Sequence, residues 1–282
     1  MTDLEATVQI LPSEVERTML KNIGEAVVQP YTEYACSSHI GTRENQQDYI
    51  DVGTGNNGVV FGIVCDGMGG LEGGEIASRT AGQAFASSLI KMDPNCDIPA
   101  FLATESQNVN RMVFDISSDD GGSGGAAGTT IVAAVIVEKD LYWLSIGDSR
   151  IYIIRGHEIE TVTRDHSYSM ELEEYVRCGN MTAEEAAADP MKDALISYLG
   201  INKLWLIDSN QKPFVLEPGD IVLLCSDGLY RSLSDRDIMD IIQRHCDDIE
   251  ECARVLPLYA YDRAPGGQDN TSVVLIRVRK SV

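Results

Sequence analysis

Apolar residues gather along this chain in runs of the length expected for strands. Such runs stand at Tyr49–Val52, Val59–Cys65, Thr129–Val137, Leu141–Ile146, Ile151–Ile154, Ile221–Cys225 and Ser272–Val278. Most are rich in the β-branched and aromatic residues that suit a pleated, buried surface. Helical spacing appears over Glu75–Ile90, where Ile76, Thr80, Ala84 and Ser88 share a face with Ala77, Ala81, Phe85 and Leu89. A second such stretch, Phe101–Ile116, lines up Leu102, Val109, Met112, Val113 and Ile116. Two later helices signal their own starts. Thr182 with Glu185, and Ser234 with Asp237 before IMDIIQRHC, have the spacing at which a side chain and the backbone cap each other.

Short connections such as VEKDLYW join neighbouring strand runs, and a turn that tight makes the neighbours antiparallel. Helices come in two groups among many strands. The pattern therefore predicts an α+β fold, a β-sandwich covered by helices, in preference to a doubly wound parallel sheet. Residues 1–30 read as a polar extension with a short helix around Ser13–Asn22, ended by Gly24 and Pro30. Residues 31–282 read as one domain, with no linker or repeat inside it.

Composition narrows the class of partner. The chain of 282 residues carries 22 basic against 44 acidic side chains, a formal charge of −22, and its pI is about 4.4. A surface of that sign repels nucleic-acid phosphates and anionic membranes, so neither is expected as a partner. The N-terminus has acids where a signal peptide needs a basic region, and no run reaches the length of a transmembrane helix. Seven cysteines without a C-x-x-C pair, Cys65 and Cys225 among them inside apolar runs, suit a reducing cytoplasmic location.

Candidate chemistry lies where the strands end. Four times an apolar run abuts an aspartate beside small or polar neighbours: VVFGIVCDG at Asp66, LYWLSIGDSR at Asp148, IVLLCSDG at Asp227 and GGQDNTSVVLI at Asp269. The acid follows the strand in the first three and precedes it in the fourth. In an antiparallel sandwich such ends meet at one edge. Carboxylates gathered there repel one another unless protons or cations neutralise them. Gly67 and Gly228, directly after two of the acids, allow close backbone approach and could offer a carbonyl oxygen. An all-oxygen donor set without His or Cys suits Mg²⁺ or Mn²⁺. The segment HIGTRENQQDY adds Arg43, whose planar fork suits a phosphate beside such a cluster.

In order along the chain, GTRENQQD, VCDGMGGLEGGEIAS, GTTIVAAVI, IGDSRIYIIR, RDHSYSMELEEYVRCGNMTAEEA, LEPGDIVLLCSDGL and GGQDNTSVVLI resemble the motifs of the protein phosphatase 2C family. That family comprises metal-dependent Ser/Thr protein phosphatases, and DGMGG resembles its bacterial branch. The resemblance spans roughly residues 34–279. It implies a four-layer αββα sandwich, two antiparallel sheets flanked by helix pairs. It implies Asp66 bridging two Mn²⁺ or Mg²⁺ ions, Gly67 lending its main-chain oxygen, and Asp227 and Asp269 completing the first ion's protein ligands. Asp148, with Asp227, would hold a third and weaker ion, and Arg43 would bind the substrate phosphate. Gln47, Asp48 and Asn270 would orient these groups from behind. Residues 165–200 would form a flap at the site, with His166 ordering its start. The implied reaction hydrolyses phosphoserine and phosphothreonine on proteins through a water shared by two ions. The enzyme would oppose a Ser/Thr kinase and act as a monomer.

The sequence also departs from the family pattern. Gln47 stands where a Glu is usual near the second ion. Arg231 follows SDGLY where an Asp often assists the third, which is expected to weaken that third site. Met68 replaces a His of eukaryotic members, and DPMKDALISYLG differs from the usual flap sequence. Gln47 and Arg231 leave open a catalytically weak pseudophosphatase, a binding or regulatory module on the same fold. A serine hydrolase is excluded: GGSGG at Gly121–Gly125 satisfies G-x-S-x-G but precedes a strand, whereas a nucleophile elbow precedes a helix. GMGGLEGG has neither the Lys-Ser/Thr of a P-loop nor the glycine order of a dinucleotide site.

Overall fold

A computed structural model describes residues 32–69, 73–119 and 127–279. The expected extension, with its helix at Ser13–Asn22, lies outside the described residues, as does Gly121–Gly125. The elements run in the order β1 (Thr32–His39), β2 (Asp48–Thr54), β3 (Val60–Gly69), α1 (Gly73–Lys91), α2 (Ile98–Asp119), β4 (Ala127–Thr129), β5 (Ile131–Val137) and β6 (Asp140–Ile146). They continue with β7 (Arg150–Arg155), β8 (Glu158–Thr161), α3 (Ser169–Arg177), α4 (Ala183–Ala188), β9 (Asp208–Ser209) and β10 (Phe214–Val215). The last are β11 (Ile221–Cys225), α5 (Asp227–Tyr230), α6 (Asp235–Arg244), α7 (Ile249–Arg263) and β12 (Thr271–Val278).

Two antiparallel sheets form the centre. One is ordered β1-β12-β11-β7-β8 and the other β10-β6-β5-β3-β2, with β4 and β9 added on β3 and β6. The central strands β3, β5, β11 and β12 are apolar over most of their length, not alternately, because they are buried on both faces. Along β3, Phe61, Ile63 and Cys65 pack under α1 and α2 with Phe85, Leu89 and Leu102. The alternate residues Val60 and Val64 meet Val222, Leu224 and Val274 of the other sheet. On the far side Leu223, Cys225, Val273 and Leu275 pack under α6 and α7 against Ile238, Ile242 and Leu256. Three apolar layers thus separate four structural ones, the expected helix–sheet–sheet–helix order. Each buried Val, Leu or Ile contributes ~1.5–3 kcal/mol of transfer free energy to that stacking.

Both expected capping boxes are present, Thr182 with Glu185 at α4 and Ser234 with Asp237 at α6. The VEKDLYW turn joins β5 to β6, pairing Val137 with Asp140, and Glu138 takes a left-handed φ of 57° in it. The expected single strand Thr129–Val137 is two strands. At the break the Thr130 N–H donates to the Asp66 carbonyl (2.8 Å), while the Thr130 hydroxyl accepts the Asp66 N–H (3.0 Å). Ladder bonds are traded there for a clamp on the acid.

Candidate active site

The sandwich brings the expected acids to one edge by register. Asp48 opens β2 and lies directly opposite Asp66 on β3. Cys225, at the end of β11, pairs with Arg150 on β7 and with Val273 on β12. Asp148, Asp227 and Asp269 therefore leave adjacent strand ends together. Asp66 is the electrostatic middle of the group. Burial first, then the charges of Asp48, Asp227, Asp148 and Asp269, push its carboxyl well above the usual range. Burial pushes Asp48 up to about 7, although Ser272 and Ser226 hydroxyls oppose the shift. Burial and then Asp227 raise Asp148 to about 6, with Arg231 opposing. Asp227 is raised by burial, against the pull of Arg231.

Backbone packing fixes the positions of Asp66 and Asp227. The Asp66 carbonyl also accepts the Thr129 hydroxyl at 2.9 Å. Gly67 follows in so close a packing that a Cβ would stand 2.2 Å from the Gly74 carbonyl oxygen and 2.5 Å from that of Gln47. Gly228, after Asp227, has the Asn270 carbonyl oxygen 2.2 Å from where its Cβ would be. Only glycine fits either place. Asn270 stitches the Arg43 loop to β12: its Oδ1 accepts the Gln47 N–H (2.7 Å) and its Nδ2 donates to the Ile40 and Asn45 carbonyls (2.8 and 3.1 Å). The Gln47 side-chain amide donates to the Gly69 carbonyl at 3.3 Å.

Two arginines reach into the cluster. Arg43 Nη2 lies 2.5 Å from Asp269 Oδ2, on a guanidinium that is more than half exposed. Its charge is stabilised mainly by that contact and further by Asp227 and Asp66. Arg231 lies between Asp227 (2.8 Å) and Asp148 (3.3 Å).

His166 stands at the foot of the flap. Its N–H donates to the Gly147 carbonyl, and its Nδ1 accepts the Gly147 N–H (3.2 Å). The ring is fully buried, and burial lowers its pKa to about 4. These two bonds tie the start of that segment to Gly147, next to Asp148. The other foot is tied by Leu199, which bridges to Thr129 next to the Asp66 clamp. Residues 165–200 thus fold as a two-footed insertion carrying α3 and α4.

The donor set suits a hard divalent cation. All five carboxylates offer oxygen, and Asp48 Oδ1 and Asp227 Oδ1 are shut from solvent without a hydrogen-bond partner. Buried acceptors in that condition need a proton or a cation. Among the described residues no three acids already close into a cage; Arg43 pairs with Asp269, and Arg231 with Asp227 and Asp148. Sequence reasoning had no role for Thr130, Ser226, Tyr230 or Gln268. Ser226 donates to Asp48 Oδ2 at 2.8 Å, and Gln268 donates to the Gly228 carbonyl at 2.7 Å. Their only trace was membership of quoted motifs, since a clamp through the backbone leaves no spacing signature.

Known proteins resemble the chain over most of its length. The family model described as Protein phosphatase 2C matches residues 36–257. Protein phosphatase PhpP of Streptococcus pneumoniae is 33% identical over 245 residues, 84% of this chain and 94% of that protein. The serine/threonine phosphatase of S. agalactiae superposes with a TM-score of 0.78 at 32% identity, covering 88% of this chain and 100% of its own. The catalytic domain of serine/threonine protein phosphatase PstP, solved in complex with two manganese ions, gives a TM-score of 0.70 at 29% identity, covering 88% of this chain and 99% of its own.

Proposed function

The chain belongs to the protein phosphatase 2C family and is a metal-dependent protein-serine/threonine phosphatase, and we propose that Asp48, Asp66, Asp148, Asp227 and Asp269 are its catalytic edge. The observation that carries this reading is the convergence of these acids at one edge of the sandwich, Asp66 from within β3 and the others from strand ends, with two of their oxygens buried and unpartnered. Asp66, Asp227, Asp269 and the Gly67 main-chain oxygen would hold Mn²⁺ or Mg²⁺, and Asp48 and Asn270 would orient them. Ions bound there supply Lewis acidity: they activate water toward phosphorus and shield charge on the phosphoryl oxygens. The chain's own residues fix where this happens. Thr129 and Thr130 lock the Asp66 backbone, Ser226 sets the Asp48 carboxyl, and Arg43 orients the phosphate. A phosphoserine or phosphothreonine substrate requires a kinase that makes it, so the enzyme opposes such a kinase. All named groups come from one chain, so a monomer suffices, and seven free cysteines suit a reducing cytoplasm. Residues 31–282 would be the catalytic unit and 1–30 an appendage. A catalytically weak module on this fold finds no support among the compared relatives, which are named as phosphatases.

Stripping with a chelator is expected to reduce release of phosphate from a phosphoserine peptide to background, with Mn²⁺ restoring it. Undiminished turnover in excess chelator would remove the metal-dependent reading. Arg43→Ala is expected to raise KM more than it lowers kcat, because the guanidinium grips phosphate in ground and transition states alike. A charge-assisted contact contributes about 1.5–3 kcal/mol, so the loss in kcat/KM is roughly 10- to 100-fold. Steady-state kinetics on the same peptide check this, and an unchanged KM would leave Arg43 without that role.

A further inference from the structure

Arg231 caps α5, its backbone N–H returning to the Asp227 carbonyl. The side chain then folds back over the turn. Its Nε lies 2.8 Å from Asp227 Oδ2 and its Nη2 lies 3.3 Å from Asp148 Oδ2, so one guanidinium spans acids from two strand ends. Those acids are almost shut from solvent, with side-chain exposures of 15% and 9%, while the guanidinium is 47% exposed. The preceding residue grips the same acid from its main chain: the Tyr230 hydroxyl donates to the Asp148 carbonyl at 2.9 Å. The Tyr230 ring is covered in turn by Arg150, whose guanidinium carbon stands 3.6 Å from the ring centroid. Arg150 makes a fork to both oxygens of Asp165 (2.9 and 2.7 Å). Arg231 is therefore placed by a built support, unlike Arg43, whose one ion pair among the described residues is with Asp269.

We infer that Arg231 is a resident cation for the Asp148–Asp227 pair, covalently occupying the place a divalent ion would take between those acids. It follows that ions are confined to the Asp66 side of the cluster. Two physical points support this. The Oδ2 atoms that would face an ion at the pair are both taken by the guanidinium: Nη2 donates to Asp148 Oδ2 and Nε forms an ion pair with Asp227 Oδ2. A divalent ion entering there would also meet a fixed like charge at contact distance, in a site partly withdrawn from water. Asp227 divides its two oxygens accordingly: Oδ2 faces Arg231, while Oδ1 is the buried, unpartnered atom. The sequence alone suggested that Arg231 weakens a third ion site. The geometry points to replacement of that ion, not dilution of its affinity.

The inference rests on the cluster binding ions at all, and the test separates the two ideas. Mn²⁺ bound per chain would be counted by EPR of the free ion, using the full-length protein and four forms: wild type, Asp148→Asn, Arg231→Asp and the double variant. The expected result is an equal count in wild type and Asp148→Asn. Arg231→Asp should gain one ion per chain, and the double variant should lose it again. Loss of one ion in Asp148→Asn alone would overturn the inference, because a metal would then share the pair with Arg231. An unchanged count in Arg231→Asp, with its thermal unfolding transition retained, would overturn it equally. Should Arg231→Asp fail to fold, the comparison of wild type with Asp148→Asn decides. A wild type that binds no Mn²⁺ at millimolar concentration would remove the metal reading itself, and this inference with it.

Discussion

Asp66→Asn is expected to lower turnover of a phosphoserine peptide by on the order of 10³-fold or more, beyond the ~10²–10³ typical of one lost electrostatic donor. It should also make the metal-free protein more stable. Both effects follow from the position of Asp66. Its backbone is fixed by Thr130 on both N–H and carbonyl sides, so asparagine would occupy the same place. What changes is one charge. Asp48 lies opposite in register, and Asp227, Asp148 and Asp269 all bear on the same carboxyl. Without ions that charge is a burden, since burial and four like charges oppose it. With ions it becomes the central anchor. A residue kept for packing would lose activity and stability together. Opposite signs, read by steady-state kinetics with Mn²⁺ and by thermal melting in chelator, identify a group kept for chemistry. Turnover within tenfold of wild type would sink the assignment.

The parts of the fold that were legible are those buried on both faces. β3, β5, β11 and β12 are apolar runs because one set of side chains meets helices and the alternate set meets the other sheet. Edge strands carry no such mark. β1, TEYACSSH, pairs with β12 over its whole length, yet its residues are mostly half-buried and mixed. β8, EIET, is paired on one side only and alternates exposed with half-buried residues. α7 was illegible for another reason. Pro257 lies inside it, and buried residues on several sides, from Ile249 through Cys252, Ala253, Val255 and Leu256 to Ala260, blur the helical stripe.

The site divides along the same line. Asp66, Asp148, Asp227 and Asp269 could be found because an acid at the end of a core strand breaks a strong pattern. Asp48 stands at the start of a weaker run, and only the register of β2 on β3 sets it across from Asp66. A shift of one residue would turn it to the other face. Arg231 was visible as a departure from a motif, but its reach to Asp148 depends on a side-chain path across 83 residues of sequence. Spacing carries no information of that kind.

The metal-free protein is expected to lose stability as pH rises from about 5 to 8, and ions should reverse the trend. Asp48 is raised to about 7 and Asp148 to about 6, with Asp66 and Asp227 also raised, chiefly by burial. A carboxyl raised in the folded state binds its proton there while the unfolded chain, near 3.8, has released it. The folded state then holds more protons between these values, so the slope of unfolding free energy against pH is negative. Stability from these groups is fully present below about pH 4 and is lost as pH climbs through 6 and 7. His166 works the other way. Its folded pKa of about 4 lies below the ordinary 6.5, so its contribution grows as pH rises between those values. One ring, joined in the same sense by the lowered His39, offsets only part of a cluster of four raised acids. Each unit between folded and unfolded pKa corresponds to ~1.4 kcal/mol, so the net loss is on the order of a few kcal/mol. For a domain of this size that shifts Tm by about 2–4 °C per kcal/mol. Saturating Mn²⁺ favours the ionised carboxyls, so its stabilisation should be small at pH 5 and large at pH 8. Melting curves at both pH values, with chelator and with Mn²⁺, check this. A metal-free protein whose Tm rises from pH 5 to 8 would mean that the acids are not the mutually repelling cluster argued here. His166→Asn in chelator should steepen the fall below pH 6.5, since it removes the one opposing ring at the foot of the flap.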